Sequence, residues 1–503
     1  MYFALKNLQI SHTAKMLAAL GVTVSYALLD RWLKPLTTDV SWLITVSEKM
    51  LAGKVLYVDI LEVNPPASVF IYLPWVWLSS TLNIHPEFIV GLSVFVAALI
   101  SALLARKIFL LSPENTHWLD GWATPALAVL VLLAYPGDTF AQREHIAVLA
   151  LLPCLALLIV RIQGANVPAI LAILAGIGAG IAVCIKPHFG VGIALPFLAL
   201  MYVRRSLWSI FNLENIIAGA VCAVYLAIVI SFFPIFISKM LPLVADTYLE
   251  DRRPLIGLIY YPAFWLWLSL TCVAFVFAEK HKNDPLVYLP LISAFGMAII
   301  VAVQGKGWPY HTLPALMLGT IALLISTSAF TRQDQPVNIK LFNGLTVCIL
   351  FGLGIVWFNM NVVSTLLHAP ISQHLLKPRM IVVTDNIGIG HPLVRHLKGE
   401  WVGRLPSNWI AEAVSERLKN PDLPQDMRTR LEKYDAYDRQ ILREDIETQK
   451  PDVIITVVGT TNWEAWMLKD AAIAELMKSY DVKASVSAPK GDEKANIWVR
   501  RKE

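Results

Sequence analysis

Long apolar runs separated by short polar connections fill the chain from residue 16 to about residue 360, after which polar and apolar positions mix. A helix that crosses the hydrocarbon core of a bilayer needs about 20 mainly apolar residues. The runs 16–29, 88–105, 122–135, 146–160, 167–185, 190–203, 216–235, 262–278, 286–303, 312–327 and 341–360 predict about eleven spans, several of them completed by flanking residues. The first follows Lys6 and Lys15 and runs into Asp30-Arg31-Trp32 with no small-residue cleavage site, so it reads as an uncleaved span. The stretch 68–82 is apolar but short, contains Pro74 and carries Trp75 and Trp77 as interfacial aromatics are carried. It is expected to be a juxtamembrane or half-inserted helix.

From about residue 370 the pattern predicts an α/β domain. Strand-like runs cover 380–384 and 453–458, helical patterns cover 428–448 and 463–480, and 496–500 reads as a last strand. Gly388-Ile389-Gly390 follows the first strand as in a nucleotide-binding turn, but the third glycine is absent and no phosphate-binding helix clearly follows. An accessory domain over the outer face is the better reading. The expected fold is a polytopic α-helical membrane protein, residues 1–365, with a first outer loop at about 31–87, followed by a soluble α/β domain, residues 366–503.

Composition agrees with that division. Hydrophobic residues make up 56%, charged residues 16%, and mean hydropathy is +0.58, whereas soluble domains run at about a quarter charged. Lys plus Arg at 42 against Asp plus Glu at 37 leaves a net charge of only +5, which does not suggest a nucleic-acid partner. Cys154, Cys184, Cys222, Cys272 and Cys348 all lie in apolar runs and form no disulfide or zinc pattern. Charge also suggests sidedness. With 68–82 on the outer surface, about nine basic residues fall inside (Arg106, Lys107, Arg161, Arg204, Arg205, Lys280, Lys282, Arg332 and Lys340), against about six outside (Arg143, Lys186, Lys239, Arg252, Arg253 and Lys306). The positive-inside tendency then places the N-terminus inside and the C-terminal domain outside.

Under that topology the unusual polar residues collect on one side of the membrane, on loops far apart in sequence. The first loop carries Asp39, Tyr57, Asp59 and Glu62, then the extended Asn64-Pro65-Pro66. The second carries Arg143-Glu144-His145 at the mouth of an apolar span, where ionisable groups are expensive and functional by default. Later loops bring Lys186-Pro187-His188, then Glu250-Asp251-Arg252-Arg253, then Gln304-Gly305-Lys306-Gly307-Trp308-Pro309-Tyr310-His311. Carboxylates early and cations late suit a transfer from a phosphate-bearing lipid. A carboxylate deprotonates the acceptor hydroxyl, and cations hold the departing phosphate.

The acid in Thr38-Asp39-Val40-Ser41-Trp42, the helix ending at Gly53, the stretch Tyr57-x-Asp59-x-x-Glu62-x-Asn64-Pro65-Pro66 and the acidic second loop together resemble the GT-C superfamily of membrane glycosyltransferases. Lipid A aminoarabinose transferases and protein O-mannosyltransferases are closest in layout. The resemblance implies a polyprenyl-phosphate-linked sugar donor, a glycan, lipid or protein acceptor, and a site and C-terminal domain on the outer side of a bacterial inner membrane. It makes Asp39 the base and Glu144 a second catalytic acid. Tyr57, Asp59, Glu62, Arg143, His145, Lys186, His188, Arg252, Arg253, Lys306, Tyr310 and His311 become candidate substrate contacts. Some relatives hold a divalent metal through first- and second-loop acids, here Glu62 and Glu144; others need none, so the metal stays open.

Each residue has a plainer explanation. Thr38 and Asp39 would cap a helix starting near Val40. Asp59 and Glu62 would be helix-terminal acids or partners of Lys54, and Tyr57 an interfacial aromatic. Glu144 would pair with Arg143, Lys186 would snorkel to the interface, Arg252 and Arg253 would pair with Glu250 and Asp251, and the 304–311 turn would sit in an aromatic belt. A transporter or flippase of a lipid-linked glycan, or a non-catalytic envelope assembly protein, would carry the same composition. The transporter would also need ionisable residues mid-span and internal repeats, and neither stands out.

Overall fold

The computed structural model describes residues 11–34, 36–113, 121–250, 252–279, 283–331, 336–360, 367–373, 375–487 and 493–501. Asp251, Lys280, Lys282 and Arg332, used above in reading the loops, lie outside them. The chain divides into two compact units, one of Met1–Pro35, Val90–Leu226 and Arg253–Asn361, the other of Leu36–Ile89, Ala227–Arg252 and Val362–Glu503.

The first unit holds, wholly or in larger part, the helices predicted as spans: His12–Leu33, Pro86–Phe109, Thr124–Ala134, Arg143–Ile162, Ala169–Ile185, Val191–Arg204, Leu213–Phe232, Pro262–Ala278, Pro285–Gln304, Pro309–Thr331 and Val337–Phe358. Among the described residues eight helices are long and apolar enough to cross a membrane, and Thr124–Ala134, Ala169–Ile185 and Pro262–Ala278 are shorter. The run 216–235 stops at Phe232 because Pro234 has no N–H to continue the ladder and disfavours helical backbone at Phe233. The apolar windows of Arg143–Ile162 and Pro309–Ser328 are 78% and 72% buried, while that of Leu213–Phe232 is 6% buried. The first two are therefore core helices of the unit, and the third turns its apolar surface outward, as a lipid-facing helix does. Close packing rests on small residues: a Cβ on Gly176 would lie 2.4 Å from the Glu214 carbonyl oxygen, and one on Gly178 would lie 2.4 Å from that of Ala150. Beside this contact Arg161 Nη2 pairs with Glu214 Oε2 at 3.1 Å.

The second unit joins the first loop and residues 227–252 to the α/β part. The loop folds as Thr38–Leu51, Ala67–Phe70 and Leu73–Leu82, so the short apolar stretch 68–82 is helical without being long enough to cross a membrane. The C-terminal sheet has strands β1 (Arg379–Val383), β2 (Glu400–Trp401), β3 (Val453–Val458), β4 (Tyr480–Ser487) and β5 (Lys494–Arg500), in the order β2-β1-β3-β5-β4. β1 pairs in parallel with β2 and β3, and β5 is antiparallel to β3 and β4. Ile381, Val383, Leu442, Ile446, Ile454, Trp463 and Met467 share its buried core.

Two local expectations, for residues 463–480 and for Thr38–Asp39, are corrected. Residues 463–480 are not one helix but Trp463–Leu468 and Ala471–Met477, because Asp470 accepts from the backbone N–H groups of Ala472 and Ile473 and starts a new helix; Tyr480 already belongs to β4. Gly388-Ile389-Gly390, already set aside as a nucleotide-binding turn, lies in a four-residue helix, Ile387–Gly390, capped by Asn386. Thr38 and Asp39 are not caps of a helix starting near Val40: the helix begins at Thr38 with Thr37 as its N-cap, so Asp39 stands in the first turn.

Candidate functional site

The candidate residues fall into two groups, one in each unit. In the first unit Arg143, Glu144 and His145 do not form a loop but the first turn of Arg143–Ile162, after Ala141 takes a positive φ of 63° and Gln142 is extended. All three are buried. Glu144 Oε1 accepts from Lys186 Nζ at 2.6 Å, a buried pair that removes the snorkelling explanation for Lys186. Its Oε2 has no hydrogen-bond partner among the described residues.

His145 plays a different part. Its Nδ1 accepts from the Ala141 N–H at 3.2 Å, so Nε2 carries the proton and donates to the Leu132 carbonyl at 2.7 Å. Both ring nitrogens are committed to holding the backbone.

Lys186 follows Ala169–Ile185, and the turn Pro187–Gly190 directs His188 to Gln304, Nε2 to Nε2 at 2.5 Å. Gln304 is a polar group that sequence reasoning did not single out; its signal was an amide in the last turn of an apolar span. Gly305 and Gly307, with φ of 65° and 71°, shape the turn that follows. Arg253 pins this turn from outside, donating its backbone N–H to Gly305 O at 2.8 Å and its Nε to Lys306 O at 3.3 Å, while its guanidinium lies 5.6 Å from the Tyr261 ring. Lys306 Nζ lies 5.8 Å from the Trp308 ring, and Lys186 Nζ 5.8 Å from that of Tyr310. Tyr310 and His311 meet edge to face at 4.5 Å. The groups that act electrostatically on His311 are Lys186, Arg143, His188 and Lys306.

Arg143, Lys186 and Lys306 are 3%, 9% and 6% exposed, and Glu144 is 1% exposed. Charge taken out of water needs an opposite charge nearby, and Lys186 finds it in Glu144. Lysine and arginine are the usual partners of phosphate oxygens.

In the second unit Asp39 is half-buried in the first turn of its helix. Tyr57 is buried with φ 67°, donates its hydroxyl to Asn64 O at 2.6 Å and packs on Phe236 at 4.9 Å, so it folds the loop instead of resting at an interface. Asp59 accepts from Val55 N at 2.8 Å as a turn cap. Glu62 is 2% exposed; Oε2 accepts from Trp42 Nε1 at 2.5 Å and Oε1 from Asn64 N at 2.9 Å. Arg252 Nε donates to Leu249 O at 2.7 Å, while Arg253 belongs to the other unit.

Both oxygens of Glu62 are engaged by neutral donors, and Glu144 faces an ammonium group. Among the described residues no group of three or more His, Cys, Asp or Glu could hold a metal ion.

Fold and site together define a polytopic integral membrane protein whose buried polar cluster lies where apolar helices begin and end, joined to a C-terminal α/β part. That architecture is known. The chain is similar to the crystal structure of ArnT from Cupriavidus metallidurans bound to undecaprenyl phosphate, with 12% identity and a TM-score of 0.54, over 96% of this chain and 98% of that one. It is similar to ArnT in the apo state as well, with 12% identity and a TM-score of 0.54, over 95% and 98% of the two chains. ArnT is a lipid A aminoarabinose transferase of the GT-C type, so the resemblance read in the first 150 residues holds at the level of the fold. No protein-family model matches the chain, and no curated protein matches it in sequence.

Proposed function

We propose that the protein is a glycosyltransferase that moves a sugar from a polyprenyl-phosphate carrier to a glycan, lipid or protein acceptor of the cell envelope, on the outer side of a bacterial inner membrane. The observation that carries this reading is the buried pair of Lys186 and Glu144 at the ends of two apolar helices, in the same compact unit as the buried cations Arg143 and Lys306. A fold shared with a protein crystallised with undecaprenyl phosphate supports it.

In the proposed reaction Asp39 takes the proton of the acceptor hydroxyl, whose oxygen bonds to the anomeric carbon. The bond from that carbon to the phosphate oxygen breaks, and polyprenyl phosphate leaves with the electron pair. Lys186, Arg143 and Lys306 stabilise the charge that grows on the departing phosphate, in surroundings where charge interactions are stronger than in water. His188, oriented by Gln304, and His311 supply imidazole nitrogens for the phosphate or the sugar hydroxyls. Arg253 holds the Lys306 turn in place. No step runs through a metal. Attack opposite the leaving phosphate gives inversion, as the GT-C resemblance implies.

The test is to incubate the purified protein with a panel of polyprenyl-phosphate sugars and an acceptor extract and to follow released polyprenyl phosphate, with Asp39→Asn as control. Release that depends on Asp39 is the expected result. Release at the wild-type rate from Asp39→Asn overturns the base assignment, and no release from any donor by folded protein overturns the reading. For sidedness, reporter fusions after Arg106 should report inside and those after Gly137 outside; the reverse pattern removes the outward-facing site.

A further inference from the structure

The helix Thr38–Leu51, which carries Asp39, is held along its length by residues of the C-terminal part of the same compact unit. Near its start Trp42 packs edge-on against His391 at 5.2 Å. Near its end Lys49 Nζ donates to Gly403 O at 2.6 Å, and in the loop beyond, Leu61 N donates to Arg404 O at 2.9 Å. The most directional contact is Arg395. Its Nη1 donates to Glu48 Oε2 at 2.6 Å and to Thr45 Oγ1 at 3.3 Å, its Nη2 donates to Glu48 Oε1 at 3.1 Å, and its Nε pairs with Glu87. The Arg395 side chain is only 11% exposed. A two-pronged guanidinium contact fixes orientation as well as distance, and an ammonium group cannot reproduce it.

We propose that Arg395 is a positioning residue: by gripping Glu48 and Thr45 it sets the axis of the Asp39 helix, so that the C-terminal domain determines where the Asp39 carboxylate stands. This rests on the reading of Asp39 as the base. The lever is short. Nine residues separate Asp39 from Glu48, about 13 Å at 1.5 Å per residue, so a tilt of about 5° at the Arg395 end moves Asp39 by about 1 Å. A displacement of that size costs a reacting group up to roughly 100-fold in rate.

The test uses the full chain in detergent or nanodiscs, with Arg395→Lys and Arg395→Gln. Hydrogen exchange of the 38–51 amides and of the Val453–Val458 strand is read beside kcat and the donor KM for polyprenyl phosphate release. In Arg395→Gln the 38–51 amides are expected to exchange about tenfold faster with the strand unchanged. The kcat should fall by about 10- to 100-fold while the donor KM stays within about twofold. Arg395→Lys should fall between wild type and Arg395→Gln, and neither change should lower the residual rate of Asp39→Asn further. Unchanged exchange in 38–51 overturns the clasp, faster exchange in the strand as well makes Arg395 a general support and overturns the positioning role, and a raised KM with intact kcat overturns the link to Asp39. If wild type releases no polyprenyl phosphate but the exchange responds as expected, the clasp stands and the base reading falls.

Discussion

The Lys186–Glu144 pair gives a prediction whose structural and functional parts can be measured separately. Lys186→Met keeps the length and apolar stem of the side chain and removes its ammonium. The Glu144 side chain is 1% exposed and the Lys186 side chain 11%, with nitrogen and oxygen 2.6 Å apart, so little solvent is at hand to replace the lost partner. Oε2 of Glu144 already has no hydrogen-bond partner among the described residues. Breaking a buried pair from one side costs about 3–5 kcal/mol. At roughly 2–4 °C per kcal/mol, the midpoint of thermal unfolding should drop by about 10 °C. Glu144→Gln combined with Lys186→Met removes both charges and should recover most of that loss, since a neutral pair of similar volume carries no uncompensated charge. Donor binding should not recover. A charge-assisted contact to phosphate is worth about 1.5–3 kcal/mol, which is a donor KM raised by about 10- to 150-fold in the double variant. The assay is thermal unfolding in detergent beside the concentration dependence of polyprenyl phosphate release. A Lys186→Met protein that melts with wild type would refute the buried-pair argument, and a stable double variant with wild-type donor KM would refute the phosphate role of Lys186.

Chelation should leave polyprenyl phosphate release unchanged, because the nearby acids already accept from Trp42, Asn64 and Lys186; loss of activity in EDTA with recovery on adding Mg²⁺ would contradict this. In the second unit, burial pushes the Asp438 carboxyl up to about 7, above its ordinary 3.8, although it accepts from Asn408 and Ala411. Its contribution is therefore fully present below about pH 4 and lost as pH rises through 7, and Asp438→Asn should flatten the decline in stability over that window. Burial brings Lys49 down to about 8 from an ordinary 10.5, so the folded state carries a penalty below pH 8 that is relieved as pH rises to 10.5; Lys49→Met should abolish that rise in stability. Gly176→Ala should destabilise the membrane unit by about 1–3 kcal/mol, since the added Cβ would lie 2.4 Å from Glu214 O, whereas Gly219→Ala meets nothing within 4 Å and should be silent in the same unfolding assay.

All the runs read as spans are helices, because apolar length is written residue by residue and the bilayer imposes one backbone solution on it. Strands β1 and β3 and the long helix Gln425–Gln449 were visible for a similar reason, since their pattern repeats within a few residues. β2 was missed because two residues carry no period, and β4 because helix-forming residues 471–477 lead directly into it. Most candidate site residues were visible as ionisable groups at the mouths of apolar runs. Their partners were not: Lys186 meets Glu144 across 42 residues of chain, His188 meets Gln304 across 116, and Arg395 meets Glu48 across 347.

The sequence by itself determined that this is a membrane-spanning chain with an α/β end, and which residues are too costly to bury without a purpose. The tertiary structure decided which of those residues share a charge, which, like His145 and Tyr57, are used up in holding backbone, and which stretches pack as one unit with the C-terminal sheet. Hydropathy and helix propensity act between near neighbours in the chain, so sequence carries them openly. A buried ion pair is fixed only when packing brings two distant helix ends within hydrogen-bonding distance and excludes water from both.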